Sequence, residues 1–191
     1  RADAVEMIDQ AEYKHLEYYR YLNCGYRLPL VGGTDKMSSE VPVGLYRTYV
    51  HIPPDEPFDY AHWCKHMRAG NTFHSGGPLL WFKVEGRPIG SMIDLPGNGG
   101  TVEAEVLAES VVPIHSLELV LNGQVVARTE SRKAVRRLAL KERIAVERHS
   151  WLCARCSGRF GISARRSVCF SGAATVCGLV SGFSTTDFAG S

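Results

Sequence analysis

The sequence predicts an α+β chain in which the end of an α/β barrel (residues 1–76) leads into a small β-sandwich (77–157) and then an irregular tail (158–191). Three observations carry this expectation. Residues 1–76 order their patterned segments as strand, helix, strand, strand, helix, which fits the end of an α/β barrel better than a bundle. From Leu79 onward the pattern changes to short alternating runs separated by turn residues, as in a sandwich. Residues 158–191 contain no Lys and no Glu, are heavy in Gly and Ser, and show no sustained period, so they are expected to be a poorly ordered tail, either junction sequence or a flexible native one. The alternative is that Ser167–Val180 supplies further sandwich strands, since Val168 and Phe170 alternate.

Each element has its own reason. Ala4–Ile8 is a short β-type run. Asp9–Leu22 is rich in Glu, Lys, Tyr and Leu, with Leu16, Tyr19 and Tyr21-Leu22 near helical spacing. Gly25, after Asn23-Cys24, is placed to end that helix in the left-handed conformation. Pro29–Gly33 reads as a short buried strand running into Thr34-Asp35. Leu45–Ile52 alternates and is β-branched and aromatic, and Pro53-Pro54 stops it. Asp59–Ala69 predicts a second helix closed by Gly70-Asn71.

Beyond Gly76-Gly77-Pro78, Leu79–Val84 is an apolar strand and Glu85–Pro88 a turn. Thr101–Ala108 sets Val102, Ala104, Val106 and Ala108 on one face and Glu103 and Glu105 on the other. Leu117, Leu119 and Leu121 repeat that alternation. Asn122-Gly123 then signals a two-residue hairpin turn, because both residues tolerate positive φ. Val125–Arg128, Leu138–Leu140, Ile144–Val146 and Trp151–Ala154 complete a set of short strands.

Bulk properties narrow the function. The chain has 191 residues, 45% hydrophobic and 22% charged, with a formal net charge of +2. So small a charge provides no field that would gather nucleic acid or an anionic membrane, and neither partner is expected. No apolar run reaches the roughly 20 residues needed to cross a bilayer. The first residues lack a leader pattern, and the chain is expected to begin inside a longer protein. Its six cysteines are scattered, which suits reduced thiols in a cytoplasmic protein.

Family-like motifs then appear in order. Tyr18–Pro29 (YYRYLNCGYRLP) is followed by Gly32-Gly33-Thr34-Asp35, then by Ala69-Gly70-Asn71-Thr72-Phe73 and Gly76-Gly77-Pro78-Leu79-Leu80. Over roughly residues 2–156 this resembles the C-terminal part of PHP (polymerase and histidinol phosphatase) superfamily metallohydrolases, of the branch that hydrolyses amide and carbamate bonds. The resemblance implies a PHP-type barrel end and a following β-domain. It also implies that Asp35 is a metal ligand. The residue chemistry agrees: Asp35 follows a short apolar strand, ligands of α/β barrels gather at the carboxyl ends of strands, and a carboxylate suits Zn²⁺, Mn²⁺ or Fe²⁺.

Two departures qualify that reading. The superfamily often has Asp-x-His where this chain has Asp35-Lys36-Met37, so a thioether replaces an imidazole. Its His-x-His pair is absent. A catalytic metal needs about three protein ligands, so the chain is expected not to hold one alone or to be active alone.

Other candidates carry less. Arg27 and His74 could line the cleft and Glu6 could support it, though for His74 and Glu6 a role without function is favoured. His62 and His66 sit four apart on the second predicted helix, a metal-binding spacing, but a surface or packing role is favoured. His15 is expected to be solvated. Cys153-Ala154-Arg155-Cys156 is a lone CxxC without a second pair, so packing is favoured over zinc or redox chemistry. The basic residues from Arg128 to Arg143 are interrupted by Glu130 and Glu142 and have few aromatics, which suits a solvated strand face. The functional expectation is a segment of a metal-dependent hydrolase, in which metal-activated water cleaves a phosphoester, amide or carbamate of a small-molecule substrate. The alternative is a non-catalytic β-sandwich binding module with an α/β remnant.

Overall fold

The computed structural model of the chain describes residues 2–7, 12–158 and 174–181. It opens with strand β1 (Val5–Met7), helix α1 (Glu12–Asn23) and strand β2 (Leu30–Gly32). β1 and β2 pair in parallel, with Val5 opposite Leu30 and Met7 opposite Gly32. Helix α1 ends where Gly25 takes φ 81°, as its sequence position predicts. Strand β3 (Arg47–Val50), helix α2 (Tyr60–Arg68) and strand β4 (Thr72–Ser75) follow. Asp59 caps α2, its carboxylate accepting the His62 backbone N–H at 2.9 Å.

The rest is strand. β5 (Leu79–Val84), β6 (Arg87–Pro88) and β7 (Met92–Asp94) precede two long strands, β8 (Gly100–Leu121) and β9 (Gln124–Val146). β10 (Ser150–Ser157) and β11 (Ala174–Ser181) complete the described chain. Among the described residues these strands form one nine-stranded sheet in the order β3-β4-β11-β10-β8-β5-β6, with β7 also on β11 and β9 also on β8.

Strand β8 changes phase along its length. Its first half turns Val102, Ala104, Val106 and Ala108 inward, all even positions. Its second half turns Leu117 and Leu119 into the same core, both odd. Successive side chains alternate across a strand, so a strict register cannot do this. The pairing with β9 slips between Glu109 and Ile114 and again between Ile114 and Ser116, which supplies the change. Leu80, Phe82 and Val84 of β5 and Leu152, Ala154 and Cys156 of β10 close the main core.

Beyond the bulge, β8 and β10 are buried on both faces. Val120, Trp151 and Cys153 point away from the main core and lie under Tyr18, Tyr19 and Leu22 of α1, with Met7 and Leu30 beside them. Full burial of such a side chain contributes about 1.5–3 kcal/mol, so this second core fixes the βαβ unit to the sheet.

The structure corrects the expected fold class. Strand dominates the described residues, which contain only the two helices α1 and α2, so no α/β barrel end is evident among them. Among the described residues only β1 and β2 make a parallel pair linked by a helix. The next two strands, β3 and β4, pair antiparallel although α2 lies between them. The strands of the expected sandwich belong by hydrogen bonding to a single sheet, which also includes β3 and β4 from before position 77. The expected tail also contributes: β11 lies between β4 and β10, with Cys153 opposite Cys177. Residues 159–173 and 182–191 lie outside the described residues. No helix among the described residues is long and apolar enough to cross a membrane.

Candidate functional site

Two places near β2 concern function, one at each end of the strand. At its carboxyl end the chain passes through Gly32-Gly33-Thr34 to Asp35. Gly32 is required by contact: a Cβ there would meet the Met7 carbonyl oxygen and lie 2.7 Å from the His74 imidazole. The Thr48 hydroxyl, from β3, accepts the Gly32 N–H and donates to the Gly32 carbonyl, each at 2.8 Å. Thr34 is held in turn by Tyr46, whose backbone N–H donates to the Thr34 hydroxyl at 3.1 Å. Asp35 then takes φ 48°, a left-handed conformation that Asp accepts more readily than most residues, and its side chain is exposed.

The other expected site residues are not gathered around it. His74 is buried against Gly32, its ring 5.8 Å from that of Tyr46. Met37, in the position where the family often has His, is exposed. Glu6 is exposed on β1, opposite Val31. Arg27 precedes β2 and lies at its other end. Among the described residues no group of three or more His, Cys, Asp or Glu side chains could hold a metal. The described residues therefore do not fit a complete metal centre; Asp35 is at most one donor to one.

At the amino end of β2 lies a cavity of about 230 Å³. It is lined by Tyr18, Pro29, Leu30, Gly70, Gly90 and Trp151, together with Arg27 and Arg68. Gly90 has φ 79°, and a Cβ there would lie 2.7 Å from the Ala69 carbonyl oxygen, so the wall depends on glycine. Sequence reasoning singled out Arg27 for a cleft wall but not Arg68 or Trp151, because only the fold brings these segments together.

The paired histidines on α2 have separate tasks. His62 Nδ1 lies 2.8 Å from the Asp59 carboxylate. Buried His66 meets Glu56 through Nε2 at 3.0 Å and Asn71 Oδ1 through Nδ1 at 3.1 Å. The Asn71 amide nitrogen donates to the Ile89 carbonyl at 2.6 Å, so its oxygen faces His66. With oxygen acceptors at both ring nitrogens, the imidazolium is favoured. Hydrogen bonding to Glu56, then to Asn71, raises the His66 pKa. Hydrogen bonds from Lys65 and His66 lower that of Glu56 to about 2. The network reaches from α2 to the backbone beside Gly90, so it braces the cavity wall.

The CxxC is a packing feature. On a strand, residues three apart face opposite ways. Cys153 accordingly lies in the second core and Cys156 in the main one. Burial pushes the Cys156 thiol up to about 12. Part of the basic stretch is paired with carboxylates, mostly across to β8. Lys141 pairs with Glu103 and Glu105, Arg137 with Glu109, and Arg128 with Glu118 and Glu130.

No protein-family model, curated protein or solved structure matches this chain.

Proposed function

We propose that this chain is a segment of a metal-dependent hydrolase of the PHP superfamily, supplying the single carboxylate Asp35 rather than a complete centre. The observation that carries the reading is the placement of Asp35. A parallel βαβ unit delivers it just past the carboxyl end of β2, exposed and in a left-handed turn set by Gly32, Thr34 and Thr48. Functional groups of parallel α/β units collect at that end of their strands. The ordered motifs Tyr18–Asp35, Ala69–Phe73 and Gly76–Leu80 support the same assignment. Other donors for Zn²⁺, Mn²⁺ or Fe²⁺ would lie outside the described residues. The expected activity is hydrolysis of a phosphoester, amide or carbamate.

A second reading, a non-catalytic binding module, draws support from the outer face of the sheet. There Trp81, Leu107 and Ala139 lie side by side across β5, β8 and β9, beside the row Lys83, Glu105 and Lys141. One exposed aromatic ring, Trp81, on an apolar row bordered by charge suits a sugar ring or an apolar partner side chain.

The test uses the protein with whatever its gene encodes on either side of this chain. Assayed with Mn²⁺ or Zn²⁺ on chromogenic phosphomonoester, amide and carbamate substrates, it should hydrolyse at least one class and lose that activity on Asp35→Asn. Activity unchanged by the substitution, or absent from the unmodified protein, counts for the binding module.

A further inference from the structure

The cavity at the amino end of β2 has no part in the hydrolase reading, since Asp35 follows the opposite end of the strand. Its wall shows what kind of ligand it can take. The polar groups of its uncharged residues are engaged internally. The Tyr18 hydroxyl donates to the Leu28 carbonyl at 2.8 Å, and the Thr72 hydroxyl donates to the Leu30 carbonyl at 2.7 Å. The Trp151 indole N–H donates to the Asn23 side chain at 2.7 Å. The charged residues lining the cavity are Arg27 and Arg68.

Arg68 already shows a preference. It meets the Asp3 carboxylate at 3.4 Å, with both side chains more than half exposed. Such a surface pair is weakly held, and a competing anion can displace it. The apolar part of the lining includes Leu22, Pro29, Met92 and Trp151. Size sets the other limit. A cavity of about 150 Å³ accommodates benzene. The roughly 230 Å³ here leaves room for one ring and a charged head, and little more.

We infer that this cavity binds a small organic carboxylate, its charged head between Arg27 and Arg68 and its ring or branched aliphatic body on Trp151. Planar guanidinium groups match a carboxylate, and the apolar lining excludes anions that carry their charge all round. The ligand competes with Asp3 for Arg68. The site is independent of Asp35, so Asp35→Asn leaves it intact whatever becomes of the hydrolase reading.

Nuclear magnetic resonance of the ¹⁵N-labelled chain provides the test. The Trp151 indole N–H signal is one of three, assigned with Trp63→Phe and Trp81→Phe. It is followed while benzoate, benzamide or inorganic phosphate is added. Benzoate should move it saturably. Benzamide, the same shape without the charge, and phosphate, the charge without the ring, should each bind about tenfold more weakly or worse, as loss of a charge-assisted hydrogen bond implies. Arg27→Gln and Arg68→Gln should each weaken benzoate by about tenfold. Asp3→Asn should strengthen it by about two- to threefold, the worth of a surface pair. Equal affinity for benzoate and benzamide in the unmodified chain overturns the proposal. So does the absence of saturation by benzoate, or unchanged benzoate affinity in the Arg27→Gln, Arg68→Gln double variant.

Discussion

The indole nitrogen of Trp151 donates a hydrogen bond to the Asn23 side-chain oxygen at 2.7 Å, joining residues 128 apart in the sequence. Trp151 is buried, and its ring lies 4.7 Å from that of Tyr19. The pair pins the last turn of α1 to β10. Trp151→Ala should therefore cost about 3–5 kcal/mol, as large aromatic truncations in cores do. Asn23→Leu leaves the indole N–H without its acceptor and should cost about 1–3 kcal/mol. Urea unfolding monitored by circular dichroism measures both; near-equal effects would show that the hydrogen bond, not the packing, dominates.

The Glu56–His66 pair predicts a pH window for stability. The folded-state pKa of His66 is raised above its ordinary 6.5, so its contribution is full below that value and is lost as pH rises through the folded pKa. The folded-state pKa of Glu56 is lowered from 4.5 to about 2, so its contribution is full above 4.5 and is lost as pH falls toward 2. Both contributions coexist fully between 4.5 and 6.5. Lys65 also meets Glu56, at 2.8 Å. Glu56→Gln should lower the melting temperature more at about pH 5.5 than at about pH 9, where neutral His66 has lost its charge attraction. A shift independent of pH would mean that His66 carries no charge in the fold.

Two glycines should resist substitution for different reasons. At Gly32 the backbone angle is not at issue; an added Cβ would strike the Met7 carbonyl and the His74 ring, so Gly32→Ala should loosen the β1–β2 pair. At Gly90 the left-handed φ adds strain to close contact with Ala69 and Gly70, so Gly90→Ala should cost more than about 1 kcal/mol. Amide exchange separates the cases. Gly32→Ala should accelerate exchange in β1 and β2, Gly90→Ala in the backbone around residues 69–71 and 89–92.

Ending the chain at Ser157 removes β11 from between β4 and β10. The expected result is a lower melting temperature and faster amide exchange along residues 150–157, whose edge toward β11 would be open. Unchanged exchange there would return residues 174–181 to the status of a dispensable tail.

Local signals were legible where local physics decides the structure. Asp59 marked the start of α2, Leu79–Val84 read as the apolar strand that β5 is, and Asn122-Gly123 turned the β8–β9 hairpin with both residues at positive φ. The length of β8 and β9 was not legible. A bulge reverses which face is apolar between Ala108 and Leu117, and alternation broken in this way reads as two strands. The barrel expectation failed because a strand–helix–strand order does not state direction: β3-α2-β4 returns antiparallel, β1-α1-β2 parallel. Asp35 and Arg27 could be picked out from their neighbours in sequence. Arg68 and Trp151 could not, because their nearness to Arg27 exists only after α1 docks on β10.

The most direct test of the hydrolase reading is the metal content of the protein purified with whatever its gene encodes around this chain. Elemental analysis should find a stoichiometric divalent transition metal in the unmodified protein and a clear loss of it in Asp35→Asn. Metal retained in full by the variant, or none in the unmodified protein, would contradict the assignment of Asp35 as a ligand.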